Sequence, residues 1–133
     1  MKAGDGHLWL RQAEDDYRFG RAALKGKFHA QACFIAQQVG EKAVKSVHYH
    51  RGRRVVLGHS VQKLLKELNS RAGVTEELLQ IGGLLDQFYV STRYPDALPG
   101  IVPADAFDST QARRALAAAR KVLAWAREQL RSE

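Results

Sequence analysis

Residues 28–49 read FHAQACFIAQQVGEKAVKSVHY, and this stretch decides the fold class. Apolar or small side chains recur along it at steps of three and four residues: Phe28, Ala32, Ile35, Val39, Ala43 and Val47. Such spacing lines one face of an α-helix, whereas a strand would alternate every second residue. The stretch therefore predicts a long amphipathic helix.

The neighbouring segments continue the helical pattern. Before Gly26, residues 8–24 carry an apolar stripe made of Leu10, Ala13, Tyr17, Gly20 and Leu24. A linker this short predicts an antiparallel helical hairpin. The last helix is expected to start near Asp108 or Ser109, with Gln111 placed for a capping-box-like contact. Its core side carries Ala112, Leu116, Ala119, Leu123, Ala126 and Leu130.

Two further helices are expected between these. Ser60 is a suitable N-cap for a short third helix, and Thr75 for a fourth that continues towards Arg93. The fourth helix should bury Leu78, Ile81, Leu85 and Phe88. Its tandem Gly82 and Gly83 each cost about 1 kcal/mol relative to Ala, which indicates close packing against another helix.

The sequence thus predicts an all-α fold, an up-and-down four-helix bundle with an additional short helix. We expect a single domain over residues 1–133, with its core at about 8–130. The segment from Tyr94 to Phe107 contains all three prolines, Pro95, Pro99 and Pro103, and should form no regular helix. A connection of this length often has a binding or packing role.

The amino-acid composition limits which classes of protein this chain can belong to. The chain is 45% hydrophobic and 26% charged, as in globular rather than disordered proteins. Its longest apolar runs span a few residues, so no membrane segment is expected. A lone Cys33 and an N-terminus without an apolar signal region favour the cytoplasm. The bias towards Arg and Lys, with one Met, suggests a heat-adapted source.

The net charge of +7 is unevenly distributed. From Lys42 to Lys66 there are seven cations and no Asp or Glu: Lys42, Lys45, Arg51, Arg53, Arg54, Lys63 and Lys66. A basic segment in an otherwise neutral chain indicates an anionic partner such as a nucleotide, RNA or an acidic protein surface. The alternative is a solvated surface of a heat-adapted protein.

Polar residues of the first two helices form one candidate binding region. Asp16 lies beside the core position Tyr17, so we expect it to be partly buried and paired with Lys42 or Lys45. Gln38, Lys42 and Lys45 share a helix face that leads into the basic loop, which predicts phosphate contact. Solvated acidic and basic faces are the alternatives.

Two further candidate regions flank the third and fourth helices. His59 and Ser60 stand at a helix N-terminus, whose N–H groups can receive an anion. Arg93, Tyr94 and Asp96 stand where Pro95 ends the fourth helix, and an Arg held by an Asp there makes a phosphate anchor. In each case the alternative is purely local, a capping His or an Arg–Asp pair that locks a turn.

Metal and cofactor sites are not expected. His48 and His50 are two residues apart and would point to different faces of a helix, while Cys33 lies among core positions. The sequence contains no Gly-rich phosphate loop, HExxH or Ser/His/Asp signature.

Several motifs occur together in an order that resembles one known family. They are AEDDY (13–17), ACFIAQQVGEKAVKSV (32–47), GHS (58–60) and LLDQFYVSTRYPD (84–96), followed by a closing helix rich in Ala and Leu. In combination they resemble the HEPN family, the nucleotide-binding domain of higher eukaryotes and prokaryotes. The likeness spans about residues 8–130.

The resemblance implies a dimeric helical bundle that binds a nucleotide or RNA and acts with a separately encoded minimal nucleotidyltransferase, in a toxin–antitoxin-like module. Other family members are metal-independent ribonucleases that use an Arg, four to six further residues and a His. No His follows Arg93 at that spacing, although Arg54 and Arg53 stand in that relation to His59.

Three functions therefore stay open. The leading hypothesis is a non-catalytic binding module, with Asp16, Lys42, Lys45, His59, Ser60, Arg93, Tyr94 and Asp96 as ligand-binding candidates. The second is an endoribonuclease in which His59 acts as general acid or base and Arg54 or Arg53 stabilises the phosphorane. The third is a structural domain whose basic stretch meets an acidic protein.

Overall fold

The computed structural model describes residues 3–68 and 70–131, and over those ranges it contains helices and no strand. The helices are α1 (Ala3–Lys25), α2 (His29–His50), α3 (Val61–Lys66), α4 (Glu76–Asp86), α5 (Phe88–Ser91), α6 (Pro103–Ala106) and α7 (Ser109–Arg131). Single 3₁₀ turns lie at Ser70–Ala72 and Pro95–Ala97. The all-α prediction is confirmed; residues 1, 2, 69, 132 and 133 lie outside the described chain.

Helix α2 is the centre of the molecule. It packs against α1 and α7 along its length and also touches α3, α4, α5 and α6. Its buried residues include Cys33, Val39 and Val44, all completely inaccessible. The predicted core side of α7 is buried throughout, from Ala112 to Leu130. Because α2 is enclosed on most sides, its polar residues are forced into contacts with one another.

The predicted starts of the third, fourth and last helices are confirmed, whereas α1 begins at Ala3, before the predicted start at about Leu8. The hydroxyl of Ser60 accepts a hydrogen bond from Lys63 N at 3.1 Å, and that of Thr75 from Leu78 N at 3.0 Å. At the start of α7, Asp108 and Gln111 exchange side-chain to backbone hydrogen bonds of 2.9 Å in a capping box. These caps satisfy N–H groups that have no partner within the helix.

Close packing explains the tandem glycine of α4. A Cβ on Gly82 would lie 3.0 Å from the backbone N and Cα of Gln62. Helices α3 and α4 therefore approach backbone to backbone at this point, as the sequence predicted. A Cβ on Gly83 would meet only the side chain of Gln62, so the two glycines are not equivalent.

Three local predictions were wrong. The fourth helix does not continue to Arg93, because Gln87 N bonds to Leu84 O, three residues back, and this tighter turn separates α4 from α5. Phe28 is 59% exposed, since it precedes α2 and its ring lies over Gly26 instead of the core. A one-turn helix, α6, begins at Pro103, where the fixed proline φ suits a first helical position.

None of the described helices combines the length and apolar character needed to cross a bilayer.

Candidate functional site

A buried carboxylate organises the polar side of α2. Glu41, whose side chain is 7% exposed, accepts a hydrogen bond from Lys45 Nζ at 3.0 Å. Its other oxygen lies 3.2 Å from His59 Nδ1. A buried carboxylate needs such partners, because removal from water is costly unless charge and hydrogen bonds compensate. Glu41 thereby fixes the orientation of the His59 ring.

His59 lies at the surface although its Nδ1 faces the interior. Its side chain is 57% exposed and stacks on Tyr89, with ring centres 4.7 Å apart and planes 16° from parallel. Gln37, fully buried in α2, donates from Nε2 to the His59 carbonyl at 2.8 Å and so holds the loop in place. Gln38 in turn donates to Gln37 Oε1 at 2.8 Å. The paired glutamines of the AQQ motif therefore position His59.

Arg93 lies among aromatic rings just after α5. Its guanidinium carbon is 4.6 Å from the ring centres of both Phe34 and Tyr89 and 4.9 Å from that of Tyr94. Arg93 Nε donates to the Tyr89 carbonyl at 2.8 Å. The two terminal nitrogens bond to no other described residue, so this half of the donor fork remains for a ligand.

The predicted role of Asp96 in holding Arg93 was wrong. Asp96 lies exposed in the Pro95–Ala97 turn, and no ion pair joins it to Arg93 in the described structure. The three rings and the Tyr89 carbonyl hold the guanidinium instead. Cation–π contact of this kind can be recognised only when residues far apart in the chain, here Phe34 and Tyr89, are brought together.

The open helix N-terminus expected at Ser60 is also absent. Asp86, at the end of α4, accepts hydrogen bonds from Ser60 Oγ at 2.7 Å, Val61 N at 2.6 Å and Gln62 N at 3.3 Å. The positive end of α3 is therefore neutralised by the protein's own carboxylate. Ser60 joins α3 to α4 and does not leave an anion site there.

Both predicted lysines of α2 are engaged within the protein. Lys42 Nζ lies 2.5 Å from Asp16 Oδ2, which confirms the expected partner and partial burial of Asp16. Lys45 pairs with Glu41 and also lies 5.8 Å from the Trp9 ring centre. These two cations stabilise contacts between α1 and α2, and each already has a carboxylate.

The Arg and His residues with family-like spacing do not meet. Arg53 Nη1 contacts Glu67 Oε1 at 2.7 Å and His48 Nδ1 at 3.1 Å, whereas His59 faces Glu41 and Tyr89. Arg54 is exposed and contacts none of these groups in the described chain. Hence Arg93, not Arg53 or Arg54, shares an aromatic neighbour with His59.

Two pKa shifts identify structural groups. Burial is the main cause that lowers the pKa of His48, whose Nε2 donates to Leu64 O at 2.8 Å. Burial, with a smaller effect from Asp108, raises the pKa of Cys33 to about 12. The thiol is therefore protonated at neutral pH and packs as an apolar group. Among the described residues, no three His, Cys, Asp or Glu side chains gather as a metal site.

Glu41, His59, Tyr89 and Arg93, with Phe34 and Tyr94, are called the Glu41–Arg93 site below. It offers the free half of a guanidinium to a phosphate and the faces of aromatic rings to a base. The His59 ring, 57% exposed and oriented by Glu41 at Nδ1, offers its second nitrogen, Nε2, for proton transfer. Sequence reasoning missed Phe34, Glu41 and Tyr89. The i,i+4 spacing of Glu41 and Lys45, in the order that favours an ion pair on a helix, is a local sequence signal that points towards this cluster.

Comparison with known proteins finds one matching family and several similar solved structures. The model of the family described as HEPN domain matches residues 7–129. The crystal structure of TT1696 from Thermus thermophilus is similar, with a TM-score of 0.90 and 39% identity over 93% of this chain and 97% of that chain. No curated protein matches the sequence significantly.

Two further solved structures are similar at lower identity. ST0689, described as an archaeal HEPN homologue, gives a TM-score of 0.77 at 31% identity, covering 98% of both chains. The HEPN domain protein TM0613 from Thermotoga maritima gives a TM-score of 0.77 at 32% identity, covering 96% of this chain and 100% of that chain.

Proposed function

Because this chain belongs to the HEPN family, we propose that it is a nucleotide- or RNA-binding module whose ligand lies on the Glu41–Arg93 site. The setting of Arg93 carries the proposal. A guanidinium held between rings loses little conformational entropy when it binds, since its position is already determined. In this proposal Arg93 binds a phosphate, Tyr94 stacks on the base, and His59 contacts the ribose or phosphate.

The remaining candidates take supporting roles in this proposal. Asp16 and Lys42 hold α1 against α2, Lys45 balances the charge of Glu41, and Ser60 anchors the loop that carries His59. Asp96 lies exposed in the turn that follows Tyr94 and borders the site. None of these five is needed as a direct phosphate ligand.

The test is titration calorimetry with AMP and with a short single-stranded RNA. Arg93→Ala should weaken binding by about 1.5–3 kcal/mol, the range for a hydrogen bond to a charged group, while the fold survives. Arg93→Lys should restore only part of the affinity because the planar fork is lost. Arg11→Ala, an exposed arginine on α1, is the matched control. A lower melting temperature with unchanged affinity would contradict the proposal and leave Arg93 a structural role.

A second candidate function is a metal-independent endoribonuclease, favoured by the orientation of His59 on Glu41. His59 Nε2 would accept the proton of a ribose 2′-hydroxyl as that oxygen attacks phosphorus. The 5′-oxygen of the next nucleotide would leave and take a proton from water, while Arg93 stabilises the phosphorane. RNA cleavage in EDTA that is lost in His59→Ala and Arg93→Ala, but kept in Arg54→Ala, would establish this function.

We further propose that the chain acts as a homodimer. Exposed apolar side chains lie close in sequence to residues of the site: Val55, Leu57 and Val90. Leu57, 78% exposed, is the most accessible of them. Burying such residues between two copies would remove apolar area from water. Light scattering should give a dimer mass for the parent chain and a monomer mass for Leu57→Arg; a monomeric parent at micromolar concentration would contradict the proposal.

The proposed protein partner is a minimal nucleotidyltransferase in a toxin–antitoxin-like module, which rests on family membership alone. Co-expression with a nucleotidyltransferase encoded beside this gene should yield one complex in size-exclusion chromatography. Separate elution of the two proteins would count against it.

A further inference from the structure

A basic groove of about 570 Å³ runs between α1 and α7, away from the Glu41–Arg93 site. Its cations are Arg21 on α1 and Arg113, Arg120 and Lys121 on α7. The described residues that line it include no Asp or Glu. An adjoining hollow of about 450 Å³ continues along α1 and brings in Arg18 and Lys25. The two together, called the α1–α7 groove, share no residue with the Glu41–Arg93 site.

The charge of the groove is not cancelled within the protein. Arg21, Arg120 and Lys121 form no ion pair in the part of the chain that the structure describes. Arg18 pairs with Asp15, but its side chain remains 83% exposed, and such a surface pair is weak. Like charges held together at a surface without counter-charges create a local potential that attracts an anion.

The sequence pattern behind the groove lies in two separate segments. Residues 17–27 and 109–127 contain nine Lys or Arg residues and no Asp or Glu. Gly20 brings α1 close to α7, since a Cβ there would lie 2.7 Å from a methyl carbon of Leu116. Packing therefore adds the charges of two helices that are some 90 residues apart in the chain.

The shape of the groove suits a chain of phosphates. Its cations run from Arg113 to Lys121, about 12 Å along α7 at 1.5 Å per residue. That length exceeds the roughly 3.4 Å axial rise per nucleotide of a stacked strand, so more than one phosphate can lie along it. Tyr17, Leu24 and Leu116 form part of the floor, where an aromatic ring and aliphatic surface can receive bases.

We propose that the α1–α7 groove binds the phosphate backbone of single-stranded RNA, as a second surface beside the proposed ligand site. Arginine forks match phosphate oxygens in bidentate geometry. The same groove of a second copy fits poorly, because its described lining carries cations and no carboxylate that could pair with them. An acidic protein is less favoured, since an open groove offers no deep pocket for the apolar anchor on which protein interfaces centre.

The test uses labelled oligouridylate of about 20 nucleotides and the triple variant Arg21→Ala/Arg120→Ala/Lys121→Ala. Loss of three phosphate contacts should weaken RNA binding at least about tenfold at moderate salt and reduce the log–log salt slope by about 2. Binding of AMP, which reaches only the Glu41–Arg93 site, should not change. The three side chains are exposed, so a melting curve should show an intact fold.

The matched control removes the same charge elsewhere, as Arg54→Ala/Lys63→Ala/Lys66→Ala. An equal loss of RNA affinity in both triple variants would overturn the proposal, because net charge alone would then explain it. So would groove-dependent binding of poly-glutamate without binding of RNA, which would assign the groove to an acidic protein.

This inference rests on the proposed RNA-binding function, but the two can fail separately. If Arg93→Ala leaves AMP binding unchanged while the groove variant still loses RNA, the proposed ligand site is wrong and the groove stands. If Arg93→Ala loses AMP binding while the groove variant keeps full RNA affinity and the same salt slope, the groove proposal is wrong.

Discussion

The segment Lys42–Lys66 and the α1–α7 groove are both rich in cations, yet the fold uses them differently. Within the segment, Lys42 pairs with Asp16, Lys45 with Glu41 and Arg53 with Glu67. All three carboxylates lie outside the basic run: Asp16 is on α1, Glu41 comes just before the run and Glu67 just after it. In the groove, by contrast, Arg21, Arg120 and Lys121 keep their full charge at the surface, without a described counter-ion.

The difference shows that a run of charges along the chain is not a charged surface. The Lys42–Lys66 run passes from α2 through the loop into α3, so three of its cations, Lys42, Lys45 and Arg53, meet carboxylates from α1, α2 and the end of α3. Arg21, Arg120 and Lys121 of the groove lie on the outer sides of two long helices, where no carboxylate of the described chain pairs with them. We therefore expect the three paired cations of the segment to contribute mainly to stability and the groove, as proposed above, to contribute mainly to binding.

The largest expected effect is at Glu41. Glu41→Gln would leave Lys45, only 8% exposed, without its carboxylate, and should lower the free energy of unfolding by about 3–5 kcal/mol. Arg120→Ala in the groove should change it by less than about 0.5 kcal/mol. Urea unfolding measures both. Similar losses in the two variants would remove the distinction between the regions.

The double variant Glu41→Gln/Lys45→Met sharpens that result. Removing both charges relieves the uncompensated lysine, so stability should recover in part relative to Glu41→Gln. No recovery would mean that Glu41 stabilises the protein through His59 and Gln37 instead of through Lys45.

A smaller effect is expected where α3, the end of the basic segment, packs on α4. Gly82→Ala forces a Cβ against the Gln62 backbone, and overpacking should outweigh the helix-propensity gain, with a net loss of about 1–2 kcal/mol. Gly83→Ala meets only the movable Gln62 amide and should be neutral or stabilising by up to about 1 kcal/mol. Equal melting temperatures for the two variants would show that α3 is not locked against α4.

The smallest effect is the pH dependence due to His48, also within the segment. Burial lowers its pKa from 6.5, so the unfolded chain binds more protons than the folded one as pH falls below that value. The stability that neutral His48 contributes is complete above about pH 6.5 and is lost as pH falls towards the lowered pKa. Melting temperatures at pH 7.5 and 5.0 should therefore differ less in His48→Gln than in the parent chain. An unchanged difference would contradict this assignment.

Local patterns predicted the fold well because a helix is specified by residues that are close together in the sequence. The apolar stripe of α7, the caps at Ser60 and Thr75, and the Asp108–Gln111 box each depend on residues within four positions of one another. The end of α4 was misplaced, since the tighter turn at Gln87 replaces one i→i−4 hydrogen bond without any proline or glycine to mark it.

The candidate site was predicted only in part. Arg93, Tyr94 and His59 stood out because of their positions beside a helix end and a proline. Their true partners, Glu41, Tyr89 and Phe34, come from α2 and α5 and looked like ordinary helix residues. The expected Arg93–Asp96 pair was local in sequence, whereas the rings that hold Arg93 were not.

The amino-acid sequence by itself determined the helices, their caps, the buried face of each and the family, because periodicity and short motifs act over a few residues. Tertiary structure alone decided which charges stay free. Coulombic pairing depends on distance in space, and only packing brought Glu67 to Arg53, Glu41 to His59, and Asp86 to the start of α3. The same packing left Arg21 and Arg120 together at the surface, facing water.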